Sequence, residues 1–194
     1  MIKRTVRAFQ ECDAVKYIVI VTREDLILPI NSLCREFSKV MEVVAGGKTR
    51  QESVERGVNV LDQRVELVAI HDGARPLITW QLIDRCIRAA NTYGTAAPAI
   101  PVKDTIKTVE GGIVVNTPER AKLRAVQTPQ VFDLDLLHVA LVDARENGAE
   151  VTDDCSAVER LGMKVKIVEG DEKNIKVTTP MDLRIARMLL EEQK

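Results

Sequence analysis

Apolar positions along the chain switch repeatedly between a helical period and short continuous runs. Ile2, Val6 and Phe9 mark an amphipathic helix, and Tyr17 to Val21 follow as an apolar run. A helix is predicted near Ile30 to Phe37, starting close to Pro29, a residue tolerated in a first helical turn. Val40 to Val44 reads as a second strand, ending in Gly46-Gly47. The same alternation then gives a helix carrying Val54, Val58 and Leu61 and a strand over Val65 to Ile70. A helix carrying Leu82, Ile83, Cys86, Ile87 and Ala90 and a strand over Ala96 to Val102 follow. Strands alternating with helices in this way imply crossover connections and a mostly parallel sheet. Near-continuous apolar runs are expected when helices cover both faces of such a sheet. The fold class read from the pattern is α/β, in a single domain over residues 1–194.

The rhythm breaks near residue 103. Thr105 to Val109 and Ile113 to Asn116 flank Glu110-Gly111-Gly112, the signature of a β-hairpin with a glycine turn. No helix pattern is left to cover it, so residues 103–125 read as an arm projecting towards a second subunit. An antiparallel addition to the main sheet is an equally good reading of the same residues. Beyond it come a helix over Leu134 to Glu146 and a short helix from near Thr152. Strands are expected over Lys164 to Val168 and Ile175 to Val177, then a last helix from Pro180.

Composition narrows the function. The 28 Lys and Arg against 29 Asp and Glu leave a net charge of -1. With six aromatic residues, the chain has neither the basic footprint nor the stacking platform of a nucleic-acid binder. A local cation cluster for a small anion is still compatible with these numbers. No apolar run approaches the roughly eighteen residues of a membrane span, and no signal-peptide pattern opens the chain. Cys12, Cys34, Cys86 and Cys155 are scattered without a Cys-x-x-Cys pair, as in a cytoplasmic protein with buried thiols.

Ligands of open α/β sheets gather beyond the carboxyl ends of the strands. There the second strand runs into Gly46-Gly47-Lys48-Thr49-Arg50-Gln51-Glu52-Ser53. Two glycines, a helix N-terminus with free N–H groups and the cations Lys48 and Arg50 suit an anion. The same turn also occurs with no ligand. The third strand ends in His71-Asp72-Gly73-Ala74-Arg75-Pro76. Asp72 and Arg75 can serve a divalent cation and a phosphate together, or brace the turn as an ion pair. His71 reads as a packing residue. Polar clusters recur at Lys103-Asp104-Thr105, Arg120, Gln127-Thr128-Pro129-Gln130, Thr152-Asp153-Asp154 and Asn174 to Thr178. Thr152 or Asp153 can cap a helix, as can Thr179. Lys176 is a cation within an apolar stretch. Facing inward it needs an anion, and facing outward it extends into water.

Taken in order, the segments G-G-K-T-R-Q-E-S, H-D-G-A-R-P, P-V-K-D-T, E-R-A-K-L-R-A-V-Q-T-P-Q, V-T-D-D-C-S and N-I-K-V-T closely resemble the 2-C-methyl-D-erythritol 4-phosphate cytidylyltransferase family. The resemblance covers essentially the whole chain. It implies a Rossmann-like nucleotidyltransferase fold, a homodimer, and Mg²⁺-dependent transfer of CMP from CTP to a polyol phosphate. It assigns Gly46, Gly47 and Ser53 to the nucleotide, and Asp72 to metal, nucleotide and catalysis. Arg75, Thr128, Thr152 and the catalytic Lys176 go to the substrate phosphate, and Thr105 and Arg120 on the arm to the partner subunit's site. Gly73 stands where the family usually has alanine. The family also opens with a strand and a glycine-rich loop bearing an Arg and a Lys, whereas no glycine precedes Gly46 here. The resemblance therefore implies a sheet without that strand, and impaired turnover. Two other readings remain at this point: a ribitol-5-phosphate-type cytidylyltransferase, and a non-catalytic dimeric remnant binding a sugar phosphate.

Overall fold

The computed structural model describes residues 1–62 and 64–191. The first half alternates as the pattern requires: α1 (Ile2–Glu11), β1 (Ile18–Thr22), α2 (Ile27–Cys34), β2 (Val40–Ala45), α3 (Arg50–Val58), β3 (Leu67–Ile70), α4 (Trp80–Tyr93) and β4 (Thr95–Pro101). Then come β5 (Thr108–Glu110), β6 (Ile113–Asn116), β7 (Arg124–Val126), β8 (Gln130–Asp133), α5 (Leu134–Glu146), α6 (Asp154–Arg160), β9 (Lys166–Glu169) and α7 (Pro180–Glu191). No helix among the described residues is long and apolar enough to cross a membrane.

Strands β1 and β2 pair in parallel. A five-stranded sheet follows the order β3-β8-β4-β7, with β9 parallel to β4 along its other edge. Strand β8 is antiparallel to both β3 and β4, so those two run the same way. The sheet is thus mostly parallel, as the alternation requires, with β7 and β8 as its reversed members. Side chains alternate across it: Ala97 and Phe132 enter one core with Val58, Leu137, Leu141 and Val158 of α3, α5 and α6. Ala96 and Val131 enter the other, with Phe9 of α1, Cys12 just after it, and Ile83 and Cys86 of α4. All four cysteines are free and buried. Burial pushes the Cys86 thiol up to about 12 and raises Cys155 as well, so both serve as small core residues.

The hairpin β5–β6 forms its own two-stranded sheet and does not join the main one. Its turn is Gly111-Gly112, with φ of 54° and 82°. Positive φ at both central residues is what a tight type I′ hairpin needs, and glycine supplies it without steric cost.

Three expectations are corrected. The arm ends before residue 124, because Arg124, Ala125 and Val126 pair with Pro101, Ile100 and Ala99 of β4. Residues 175–177 form no strand. Ile175 is turned by a bond from its N–H to the Lys173 carbonyl, and only Val177 N–H reaches another segment, at Ala74 O 2.8 Å away. The helix predicted from Ile30 to Phe37 lies earlier, at Ile27–Cys34, with Pro29 in its first turn.

Candidate active site

The carboxyl ends of the strands converge on Asp72, which follows β3. Its side chain is 15% exposed and meets cations from three separate segments. Lys176 Nζ lies 3.1 Å from Oδ2, Arg75 Nε 3.4 Å from Oδ2 and Arg50 Nε 3.9 Å from Oδ1. Burial works against the Asp72 carboxylate, but Lys176 first, then Arg50 and Arg75, outweigh it and hold its pKa below the ordinary value. Asp72 is therefore ionised at neutral pH. Lys176, the cation within an apolar stretch, has found its anion while leaving 46% of its side chain exposed.

Local chemistry positions each of these groups. The Arg75 N–H closes a turn onto Asp72 O at 3.0 Å, and its Nη1 donates to Asn174 O at 2.8 Å. The buried Asn174 donates through Nδ2 to Thr128 O at 3.0 Å, so the segment before Lys176 is clamped onto the segment before β8. Thr128 Oγ1 accepts from Asp72 N–H at 3.1 Å and lies 2.9 Å from His71 Nδ1. With that oxygen accepting from Asp72, its own hydrogen points at Nδ1, and Nε2–H faces Arg75 O at 3.4 Å. Burial lowers the His71 pKa to about 4, so the ring is neutral at pH 7. It is a partly buried packing residue against Phe9.

Arg50, at the start of α3, also makes a two-pronged pair with the buried Asp154. Nη1 and Nη2 donate to Oδ1 and Oδ2 at 3.0 and 2.7 Å. Burial nonetheless raises the Asp154 pKa, with Asp153 and Asp72 adding to the rise against the pull of Arg50. Gln130 braces this corner: its Oε1 accepts from the N–H groups of Asp154 and Cys155, both at 3.1 Å, and its Nε2 donates to Asp153.

The Gly46-Gly47 turn is built as a close approach. A Cβ on Gly46 would stand 2.8 Å from Ser53 Oγ, and one on Gly47 would collide with the Glu52 side chain. Two of the turn's own N–H groups are engaged within it. Gly47 donates to Ser53 Oγ at 3.0 Å and Lys48 to Glu52 Oε2 at 2.7 Å. Thr49 caps α3. Asp153, not Thr152, caps α6, in a capping box with Ser156, which leaves the exposed Thr152 hydroxyl without a capping role. Thr179 accepts from Asp182 N–H at 3.2 Å in the first turn of α7.

The structure thus brings Asp72, Arg75, Thr128 and Lys176 together. Thr105 and Arg120 stand apart on the exposed arm, where Arg120 Nη1 donates to Lys103 O. The sequence places Asp154, Gln130 and Asn174 within polar clusters without marking them as site builders, and offers Arg50 as suited to an anion at a turn that also occurs with no ligand. Their pairings span up to 104 residues, and no local spacing announces them.

Asp72 is the only one of these carboxylates that combines partial exposure with cationic neighbours. Among the described residues no group of three His, Cys, Asp or Glu is arranged to hold a metal ion. A bare divalent ion would meet Lys176, Arg50 and Arg75 as repelling charges. One arriving with phosphate oxygens would not, because Mg²⁺ commonly uses one protein carboxylate and completes its shell with water and phosphate. Asp72 fits that role.

The sequence model of the family described as 2-C-methyl-D-erythritol 4-phosphate cytidylyltransferase matches residues 1–192. An enzyme so named from Caldanaerobacter subterraneus is 45% identical over 194 residues, covering 96% of this chain and 84% of its own. One from Bacillus mycoides is 44% identical over 196 residues, covering 100% and 86%. Among solved structures, the 4-diphosphocytidyl-2C-methyl-D-erythritol synthase of Anaerococcus prevotii superposes with a TM-score of 0.93 at 30% identity, covering 98% and 85%. The 2-C-methyl-D-erythritol 4-phosphate cytidylyltransferase of Thermus thermophilus gives 0.84 at 34% identity, covering 97% and 88%. These matches run through every segment that builds the Asp72 cluster and share its Rossmann-like frame, so the chain belongs to the 2-C-methyl-D-erythritol 4-phosphate cytidylyltransferase family.

Proposed function

We infer that the chain transfers CMP from CTP to 2-C-methyl-D-erythritol 4-phosphate in isoprenoid biosynthesis, with the Asp72 cluster as its reaction centre. The observation that carries this is the meeting of Lys176, Arg75 and Arg50 on one ionised carboxylate at the carboxyl ends of the strands. In the reaction, an oxygen of the substrate phosphate forms a bond to the α-phosphorus of CTP. The bond from that phosphorus to its bridging oxygen breaks, and pyrophosphate leaves with the electron pair. Two anions must be brought together in line, so the protein's task is orientation and neutralisation of growing negative charge. Lys176, half exposed and swinging on a flexible stem, meets the substrate phosphate and the transferring phosphoryl oxygens. Arg75, held by Asn174, fixes the other side of that phosphate, the exposed Thr152 hydroxyl goes to the same anion, and Thr128, whose buried hydroxyl bonds Asp72 N–H, acts by holding that turn. The turn of Gly46, Gly47 and Ser53 takes the nucleotide. Asp72 would hold Mg²⁺, which supplies charge neutralisation on the pyrophosphate side when bound.

The arm supports a homodimer. Val109, Ile113, Val114 and Val115 are each more than half exposed, and a hairpin with a wet apolar face gains by packing on a second copy. Thr105 and Arg120 would then reach the partner's site. Helix α1 adds no cation to the cluster: Lys3 and Arg7 pair with Glu36. Four free cysteines agree with a reducing, cytoplasmic setting.

The test is pyrophosphate release with CTP, Mg²⁺ and either methylerythritol phosphate or ribitol 5-phosphate. Methylerythritol phosphate should be preferred, and Asp72→Asn should lower the rate on the order of a hundredfold or more, as for loss of one preorganised electrostatic group. Preference for ribitol phosphate, or sugar-phosphate binding without turnover, would replace this reading with one of its rivals. A folded Asp72→Asn variant with near-normal turnover would remove Asp72 from the centre.

A further inference from the structure

Lys176 lies on the connection between β9, which ends at Glu169, and α7, which begins at Pro180. Residues 170–179 are described throughout and form neither strand nor helix, so other bonds must place them. The connection starts pressed against the sheet. Gly170 N–H bonds to Ala99 O at 3.0 Å, and a Cβ on Gly170 would stand 2.7 Å from Gln127 Oε1. The buried Gln127 holds Asp171 by both ends of its amide, accepting from Asp171 N–H at 3.2 Å and donating to Asp171 O at 2.8 Å. Beyond Lys176, Val177 N–H reaches Ala74 O.

Asn174 closes these contacts into a ring. Asp72 N–H donates to Thr128 Oγ1 at 3.1 Å, and Asn174 Nδ2 donates to Thr128 O at 3.0 Å. Arg75 Nη1 donates to Asn174 O at 2.8 Å, and Arg75 N–H returns to Asp72 O at 3.0 Å. The members come from three separate segments, and none of them shifts alone. Asn174 is 0% exposed, so it meets no substrate and acts only through its neighbours. Its Oδ1 has no hydrogen-bond partner among the described residues, and the bond from Nδ2 to Thr128 O is what fixes the side chain. An aspartate here would turn oxygens towards the Thr128 carbonyl, and a leucine of similar volume would offer no donor.

We propose that Asn174 is a positioning residue that sets Arg75 and Lys176 at a fixed separation, so that the two cations grip one phosphate as a unit. The inference rests on the Asp72 cluster being the reaction centre. Arg75 is held through the Asn174 carbonyl, and Lys176 follows two residues later on the same pinned connection. A cation that drifts by about 1 Å from its productive place can cost about a hundredfold in rate. Gly46, Gly47 and Ser53 share no hydrogen bond with the ring among the described residues, so nucleotide binding is spared.

The experiment is calorimetry on the full chain, with methylerythritol phosphate and with CTP separately, on variants that urea unfolding shows to be folded. Asn174→Ala should raise the dissociation constant for the sugar phosphate at least tenfold and change that for CTP less than threefold. In an Arg75→Ala background the same substitution should cost less than threefold, because the fork it places is gone. A merely structural role would cost the same factor in both backgrounds. Asn174→Ser, which keeps a shorter donor, should fall between parent and alanine, and it replaces Asn174→Ala in the cycle if that variant does not fold. Equal factors in the two backgrounds, or equal losses for sugar phosphate and CTP, would overturn the proposal. The cycle reads binding, so a parent that binds the sugar phosphate without turnover would defeat the proposed reaction while the cycle still decides the role of Asn174.

Discussion

Replacing Arg50 by alanine should unfold the protein more readily than any other single charge removal near the site. Asp154 is 2% exposed, and Arg50 supplies both of its charge-assisted bonds. Removing one partner of a buried pair leaves an uncompensated charge, which costs about 3–5 kcal/mol. The Arg50 side chain is 39% exposed, so water relieves part of the loss and the lower figure, about 3 kcal/mol, applies. That is a large share of a typical stability of about 5–15 kcal/mol, and a drop of roughly 6–12 °C in Tm at 2–4 °C per kcal/mol. Urea unfolding at pH 7 measures it directly, and Arg50→Lys should recover part of the loss, since it restores the charge without the fork. The pH dependence identifies the cause. Asp154 already has a raised pKa, and without Arg50 it rises further. A carboxyl whose folded pKa lies above its unfolded value destabilises the fold at high pH and stops doing so once it is protonated. The gap between variant and parent should therefore narrow as the pH falls from 7 towards the ordinary carboxylate value. A loss under 1 kcal/mol, or a gap that does not change with pH, would refute the argument.

Deleting residues 104 to 117 should convert a dimer into a monomer by sedimentation and abolish turnover; a monomeric, fully active parent would defeat the arm's assignment. Because the folded pKa of His71 is near 4 against an ordinary value of 6.5, the unfolded chain takes up this proton first. Stability should thus fall between pH 6.5 and pH 4, and His71→Asn should flatten that part of a melting-temperature profile. Lys176→Ala should raise the dissociation constant for the sugar phosphate in calorimetry and cost less stability in urea than Arg50→Ala, since its ammonium is half in water and Arg50 and Arg75 still face Asp72. An unchanged dissociation constant would place the phosphate elsewhere.

How much of this was legible beforehand depended on range. The strands Ile18–Thr22, Val40–Ala45 and Thr95–Pro101 announce themselves as short, mostly apolar runs. Strand Gln130–Asp133 does not. It is four residues long, and its buried Gln130 is paid for by bonds to a helix N-terminus twenty-odd residues away. Ile175 to Val177 carries the alternation of a strand but is held by Asn174 and one backbone bond. The partnership of Asp72 with Arg75 was readable from a spacing of three, and Lys176 from its odd setting. The pairing of Arg50 with Asp154 was not, because nothing in either neighbourhood refers to the other.

That same long reach has a consequence for how the protein acquires its site. Arg50 meets Asp154 across 104 residues of chain, and Arg75 meets Asn174 across 99. Closing loops of that length costs entropy before any contact repays it, and chains dominated by such contacts fold slowly. On the ribosome, Asp72 and its turn leave the tunnel about a hundred residues before Lys176 does. The nascent chain therefore carries β3 and its carboxylate for several seconds, at about 5–20 residues per second, before the cation that completes the cluster exists. Competence at the site is the last property the chain gains, arriving only with the segment that precedes α7.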